Sequence, residues 1–393
     1  MNTKGILIAG FPYVRERYFA TFRHWPRENE ISFLLPRVWT AKKGKVVFTP
    51  PMDANVSTAR ALFHDSDAPV IGGLLKGWMP GFVPHVWRNR RGVSLIYSCS
   101  EPTLLTTLYQ AAWSKMLGKK HVCFTWENIP YEKKLRGLSR WVHILLLRMN
   151  LALSDGLICG NQAGALIHRE YTSKPIVVIP MNGVDPDVFS KEANSSRPSH
   201  LSAATVYTYV GAIGYRKGIQ YILKALPSVI EQIPNAHLIL AGAGEYEKQI
   251  ETLIGELGLS DCVTRLPWVE QKELVQLLSV SDVFLYPSIP HGGWTEQFGY
   301  SMAEASLMEL PVISTQTGSI SDVVLNGETG ILVPPGDANA LAGAMVRLGT
   351  DASLRQHMGQ AGRAYITERF SHTVVAKQFF EFFRLILSSE PSR

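Results

Sequence analysis

Short runs rich in β-branched and aliphatic residues alternate along this chain with longer stretches of helical period. "GILIAG", "SLIYSCS", "HVCFTW", "DGLICG" and "PIVVIP" are separated by segments such as "EPTLLTTLYQAAWSKML". That alternation constrains the fold more than any other feature, because it is the pattern of βα units on a parallel sheet. A polar, Ser-rich break, "KEANSSRPSHLSAAT" at 191–205, interrupts it, and a new series follows with "TVYTYVG", "AHLILAG", "DVFLYPS" and "PVIST". The break reads as a linker between two α/β domains, since 393 residues exceed what one core usually serves. The closing "FSHTVVAKQFFEFFRLIL" reads as a helix capped by Ser371, with Val374, Phe379, Phe382 and Phe383 on its apolar face.

Composition narrows the class. Hydrophobic residues make up 46% and charged residues 18%, the balance of a globular chain. Cys99, Cys123, Cys159 and Cys262 match no metal-ligand spacing and read as reduced thiols in a cytoplasmic protein. No cleavable leader and no uninterrupted apolar span is expected. Residues 1–200 hold 26 Lys and Arg against 14 Asp and Glu, whereas residues 201–393 hold 13 against 19. The first half, at +12, is suited to an anionic partner such as a membrane surface, a lipid phosphate or nucleic acid.

The stretch "EQFGYSMAE" sets Glu296 in a loop and Glu304 inside a helix expected from about Gly299 to Leu310, with Pro311 stopping it. Amides around Phe298 and Gly299 at the helix mouth favour a phosphate, while carboxylates accept hydrogen bonds from sugar hydroxyls. One ligand, a nucleotide-sugar, suits both. In "VGAIGYRKG" a glycine-containing turn leads to Arg216 and Lys217, two cations placed to face a pyrophosphate; a tight turn with two solvated bases is the alternative.

In that order, "VGAIGYRKG", "LAGAGE", "YPS", "EQFGYSMAE", "ELPVIST" and "NGETGILVPPGD" resemble glycosyltransferase family 4, the retaining nucleotide-sugar transferases of GT-B fold. "VVIPMNGVDPDVF" is similar to the segment that leads into that family's second domain. The resemblance covers about residues 155–385, and the first 150 match in architecture alone. It implies two Rossmann-like doubly wound α/β domains facing a cleft, with the C-terminal helix crossing back to the first. The boundaries are 1–190 for an acceptor-side domain, 191–205 for the linker, 206–370 for a nucleotide-sugar domain and 371–393 for the helix.

The resemblance also implies roles. Lys217 contacts the donor diphosphate, Glu304 the ribose hydroxyls and Glu296 the transferred sugar, while Trp268 and Val269 lie at the base-binding turn. Where the family commonly has Arg after the turn's Gly, this chain has Ala212, so whether Arg216 replaces it stays open. The strand end "CFTWENI" carries no His and offers Trp126, Glu127 and Asn128 instead. Glu101, Glu127 and Asn128 are the acceptor-side candidates, being placed after strands. The donor is a UDP- or GDP-linked sugar used as substrate, no cofactor is needed, and the acceptor is a glycan or a lipid-linked molecule.

"DPD" at Asp185–Asp187 and "DSD" at Asp65–Asp67 mimic a metal-binding motif but lack ligand clustering, so no metal is expected. The basic stretch "KKLRGLSRWVHILLLR" reads as an amphipathic helix, with Lys133, Lys134, Arg136 and Arg140 suited to an anionic surface and Leu135, Leu138, Trp141, Val142 and Leu145 opposite. Its apolar side serves either the membrane or the sheet. A peripheral place on the inner membrane face accords with that charge. Two other classes stay open: a GT-B epimerase or phosphorylase, and a basic nucleic-acid-binding protein, although no nucleic-acid motif is found.

Overall fold

The computed structural model describes residues 5–14, 18–26, 31–41, 44–51, 54–64, 71–191 and 197–389. The Asp65–Asp67 motif lies outside them. The chain forms two compact units, Met1–Gly183 with His372–Arg393, and Val184–Ser371.

The first unit contains strands β1 (Gly5–Ala9), β2 (Ile31–Pro36), β3 (Val38–Ala41), β4 (Gly44–Val47), β5 (Val56–Ala59), β6 (Val93–Ser98), β7 (Lys120–Thr125), β8 (Gly156–Cys159) and β9 (Ile176–Val178). Seven of these make one sheet in the order β5-β2-β1-β6-β7-β8-β9, while β3 and β4 form a separate hairpin. Every pairing in the large sheet is parallel. Central strands such as β1 and β6 are buried on both faces, which is why their sequences are continuous apolar runs rather than alternating ones.

The last helix, His372–Ser388, belongs to this unit. Its buried stripe is Val375, Phe379, Phe382, Phe383 and Ile386, so Val375 rather than Val374 lies against the core. Phe379 meets Phe22 and Tyr97 with ring centroids 5.5 and 5.7 Å apart, and Phe383 meets Tyr97 at 5.4 Å.

The second unit contains β10 (Thr205–Val210), β11 (Ala236–Ala241), β12 (Val263–Leu266), β13 (Val283–Tyr286), β14 (Val312–Thr315) and β15 (Gly330–Val333). Their order is β12-β11-β10-β13-β14-β15, again all parallel. The first strand of the unit is thus central, the next two extend to one side and the last three to the other. Between β10 and β13 the winding reverses, and ligands of open α/β sheets bind beyond the carboxyl ends of strands at such a reversal.

The chain passes between units at Gly183/Val184, earlier than the 190/191 boundary read from the sequence, and returns at Ser371/His372. Hydrogen bonds explain the earlier crossing. The Val184 N–H donates to the Phe370 carbonyl at 2.9 Å, and the Arg363 guanidinium donates to the carbonyls of Pro186 and Phe189 at 3.0 and 2.7 Å. Residues 192–196 of the expected linker lie outside the described residues.

Candidate functional site

Strand β10 runs out into Gly211–Gly214 and a single 3-10 turn, Tyr215–Lys217, before the helix Ile219–Gln232 begins. Gly218 joins turn to helix with φ +74, and a Cβ there would lie 1.8 Å from the Pro287 carbonyl oxygen. Only glycine meets both demands, and its absence of side chain lets the turn press against the end of β13. The Ile289 N–H donates to the Arg216 carbonyl at 2.9 Å, which ties the two strand ends together.

This packing brings Lys217 and Glu296, 79 positions apart in the chain, into contact. The Lys217 ammonium donates to Glu296 Oε2 at 2.6 Å and to the Tyr286 hydroxyl at 2.5 Å, and the Ser288 hydroxyl donates to the same Glu296 oxygen at 3.0 Å. Lys217 and Glu296 are buried. Burial pulls the Lys217 ammonium below the usual lysine range, the Glu296 carboxylate opposes this, and Arg216 adds to the lowering. Burial likewise raises the Tyr286 phenol well above its ordinary value, so it stays protonated.

Arg216 lies over the Trp294 ring, its guanidinium carbon 3.6 Å from the centroid. Its Nη1 is buried without a hydrogen-bond partner among the described residues. A buried guanidinium nitrogen left unpaired is costly, and an anionic oxygen is the partner it fits best. Lys217, Arg216, Tyr286, Ser288, Trp294 and Glu296 therefore form one cationic, hydroxyl-bearing corner at the reversal of the sheet.

The remaining expected residues of this unit are placed around that corner. Gly299, with φ +81, is the N-cap of the helix Tyr300–Leu307, and Phe298 before it is buried, 5.1 Å from the Phe370 ring. Glu304 is half-buried in the second turn of that helix. The helix ends at Leu307, short of the expected Leu310, because Glu309 takes φ +54 and the Leu310 N–H turns back to the Ala305 carbonyl at 3.1 Å. Trp268 is exposed and Val269 half-buried in the loop after β12, at the edge of the sheet and two strands from β10.

Tyr286, Ser288 and Trp294 escaped the sequence reading as members of the site. "YPS" marked a strand end, and the aromatic two positions before Glu296 was the available signal for an Arg platform. Asp185, of the "DPD" motif, accepts from the Asp187 and Val188 amides at 3.0 and 3.3 Å, closing its own turn.

In the first unit, Glu101 and Glu127 lie beyond β6 and β7 and are engaged with their own unit. Glu101 accepts from the Thr125 hydroxyl at 2.6 Å and from the Trp126 amide at 2.8 Å. Burial pushes its carboxyl up to about 7, against those two donors. Glu127 pairs with Lys134 at 2.7 Å, and Asn128 is buried. Neither acid caps the helix that follows it. The stretch 133–148 is broken in two: Tyr131–Lys134 is a short helix, Arg136 is extended, and a second helix spans Gly137–Leu153. Cys99, Cys123, Cys159 and Cys262 are free thiols. Among the described residues no three His, Cys, Asp or Glu side chains gather as a metal-ligand group, and no helix is long and apolar enough to cross a membrane.

The fold is that of an open α/β protein of GT-B architecture, with a cationic corner at the reversal of its second sheet. Residues 190–365 match the model of the family described as glycosyl transferases group 1. It is 31% identical over 178 residues to a GDP-mannose-dependent monoacylated alpha-(1-6)-phosphatidylinositol monomannoside mannosyltransferase of Corynebacterium glutamicum, covering 45% of each chain. Over a longer span it is 25% identical to alpha-D-kanosaminyltransferase of Streptomyces kanamyceticus, across 80% of this chain and 84% of that protein. The chain thus spans about half the length of several curated relatives that it matches.

Solved structures agree on the fold. Anabaena Alr3699/HepE in complex with UDP superposes with a TM-score of 0.72 at 18% identity, covering 97% of this chain and 100% of that one. Sucrose-phosphate synthase from Thermosynechococcus elongatus gives 0.73 at 21%, covering 98% and 100%.

Proposed function

We propose that this protein transfers a sugar from a nucleoside diphosphate to an acceptor hydroxyl, with retention of configuration. The observation that carries the reading is the corner at the reversal of the second sheet, where a buried Lys217–Glu296 pair stands beside Arg216 with its unpartnered Nη1. The match of residues 190–365 to the glycosyl transferases group 1 family supports it, as does the UDP bound by Alr3699/HepE, a protein of the same fold.

In this reading Arg216 and Lys217 receive the donor diphosphate, and Arg216 supplies the cation missing at Ala212. Lys217 also neutralises Glu296, which removes the repulsion a bare acid would exert on phosphate and leaves the carboxylate to address sugar hydroxyls. Glu304 takes the ribose hydroxyls, the helix mouth at Phe298 and Gly299 takes sugar or phosphate oxygens, and the backbone at Trp268 and Val269 reads the base.

The bond from the anomeric carbon to the diphosphate oxygen breaks as negative charge gathers on that oxygen. Arg216 and Lys217 stabilise this charge, each by about 3 kcal/mol, the magnitude typical of one preorganised donor. The acceptor oxygen bonds to the anomeric carbon on the leaving-group face, and its proton passes to the departing phosphate. Glu101, Glu127 and Asn128 are the acceptor-side candidates in the first unit. The chemistry assigned to these residues has no step that needs a metal or a cofactor.

The test is a donor screen with UDP-glucose, UDP-N-acetylglucosamine and GDP-mannose, each incubated with and without alkyl glycosides or lipid extracts as acceptors. Release of UDP or GDP that depends on acceptor supports the transferase. Acceptor-independent interconversion of the sugar-nucleotide would show an epimerase instead, and phosphate-dependent cleavage of a glycan would show a phosphorylase.

A further inference from the structure

The helix Gly137–Leu153 is fixed to the first unit by one side, through buried Leu146, Leu147, Asn150 and Leu151. Asn150 secures it, its side-chain amide donating to the carbonyls of Pro102 at 2.8 Å and Leu104 at 3.3 Å. The opposite side carries Leu138, Trp141, Leu145 and Met149, which are 76, 62, 40 and 43% exposed. Their spacing of three, four and four residues puts them in one stripe along the helix. Exposed apolar side chains occurring singly need no explanation, but four large ones in register on one helix do.

The charge of the same segment bears on what covers the stripe. From Asn128 to Ser154 the chain has five bases, Lys133, Lys134, Arg136, Arg140 and Arg148, and one acid, Glu132. Lys134 is taken by Glu127, whereas Lys133, Arg136, Arg140 and Arg148 are exposed and form no ion pair with a described residue.

We propose that this face docks on an anionic lipid bilayer, with Leu138, Trp141, Leu145 and Met149 set among the acyl chains and Lys133, Arg136, Arg140 and Arg148 at the headgroups. An apolar stripe containing Trp, on a segment with four exposed bases that form no ion pair with a described residue, matches the layering of an anionic membrane surface. A second copy of the chain fits less well, because a symmetric contact through this helix would bring the same exposed bases together. The proposal does not depend on the glycosyl-transfer reading. It assigns four named side chains to the lipid and leaves Leu146, Leu147 and Leu151 to the unit's own core.

The experiment is co-sedimentation of the full chain with phosphatidylcholine vesicles containing about 30% phosphatidylglycerol, against phosphatidylcholine alone, with salt raised to about 0.5 M. Binding is expected to be about ten-fold or more stronger to the anionic vesicles and to fall with salt. Replacing Leu138, Trp141, Leu145 and Met149 together by Ser is expected to weaken it a further ten-fold or so, since four apolar anchors are lost. Replacing Lys133, Arg136, Arg140 and Arg148 by Gln is expected to remove the preference for anionic lipid. All eight positions lie at the surface, so thermal melting should stay unchanged and separates loss of docking from loss of fold. A blue shift of fluorescence on vesicle addition that disappears in Trp141→Phe would place Trp141 in the lipid. The proposal is overturned if the wild-type chain ignores anionic vesicles at low salt. It is equally overturned if the four-Ser variant binds as well as wild type, or if that variant only converts a dimer to a monomer.

Discussion

Glu296→Gln removes the charge that keeps Lys217 buried as an ammonium while keeping the size of the side chain and one hydrogen-bond acceptor. Both partners are about 8% exposed at the side chain, so little solvent is available to replace the carboxylate. Breaking one side of such a pair costs roughly 3–5 kcal/mol. An independent bound comes from neutralising the lysine instead. Deprotonating an ordinary lysine at pH 7 costs about 4.6 kcal/mol, and at pH 9 about 1.9 kcal/mol.

The sign of the pH dependence follows from the direction of the shift. Burial depresses the Lys217 ammonium, and without Glu296 nothing opposes the depression. The unfolded chain then binds more protons than the folded one between the depressed value and the ordinary one, so stability rises with pH in that window. Glu296→Gln is therefore expected to lose about 3–4 kcal/mol at pH 7 and to recover about half of it by pH 9. The double variant Lys217→Met, Glu296→Gln should return to within about 1–2 kcal/mol of wild type at both pH values. Urea unfolding with hydrogen exchange read on peptides of the second unit measures this. A loss under about 1 kcal/mol at pH 7 that does not change with pH would refute the reasoning, because the pair would then be as well solvated as one at the surface.

Other outcomes follow from the same geometry. Glu304→Ala should weaken nucleoside-diphosphate binding about 10- to 150-fold, and calorimetry that finds no change would remove it from the site. Arg216→Ala should lower turnover about 100-fold with little change in melting temperature, whereas the exposed Lys224→Ala should leave both alone; equal effects in steady-state assays would make the turn merely structural. Because Glu101 ionises in the folded chain only near 7, the wild type should lose about 1–3 kcal/mol relative to Glu101→Gln as pH rises from 5 to 8. His121, held neutral by burial and pushed down to about 3, gives an opposite slope below 6.5 that is common to both proteins and cancels in the comparison. A difference that is flat with pH would show the carboxyl to be solvated.

The central strands were legible because each is buried on both faces and so appears as an unbroken apolar run: β1, β6, β7, β8, β10, β11, β13 and β14 all carry that signature. β5 and β12 are edge strands whose residues are mostly half-buried, and "VSTA" or "VTRL" carries no such run. β2 has a full apolar run but is preceded by a helix of only five residues, Phe19–Arg23, so no βα rhythm announces it. In the site, the identities of Lys217 and Glu296 came from motif order, but their contact spans 79 positions and no local pattern encodes it. Trp294 beneath Arg216 was hidden for the same reason. Along Gly137–Leu153 two apolar sets share one helix, and the sequence did not say which of them the sheet would take.

The measurement closest to the central claim is calorimetric titration of the full chain with UDP and GDP, each against its own nucleoside, uridine or guanosine. If Arg216 and Lys217 hold the diphosphate, one of the two nucleoside diphosphates binds at a single site about 100-fold or more tighter than its nucleoside, a difference of about 2.7 kcal/mol. Nucleosides that bind as tightly as their diphosphates, or no binding by either diphosphate, would contradict the assignment of this corner as the donor site.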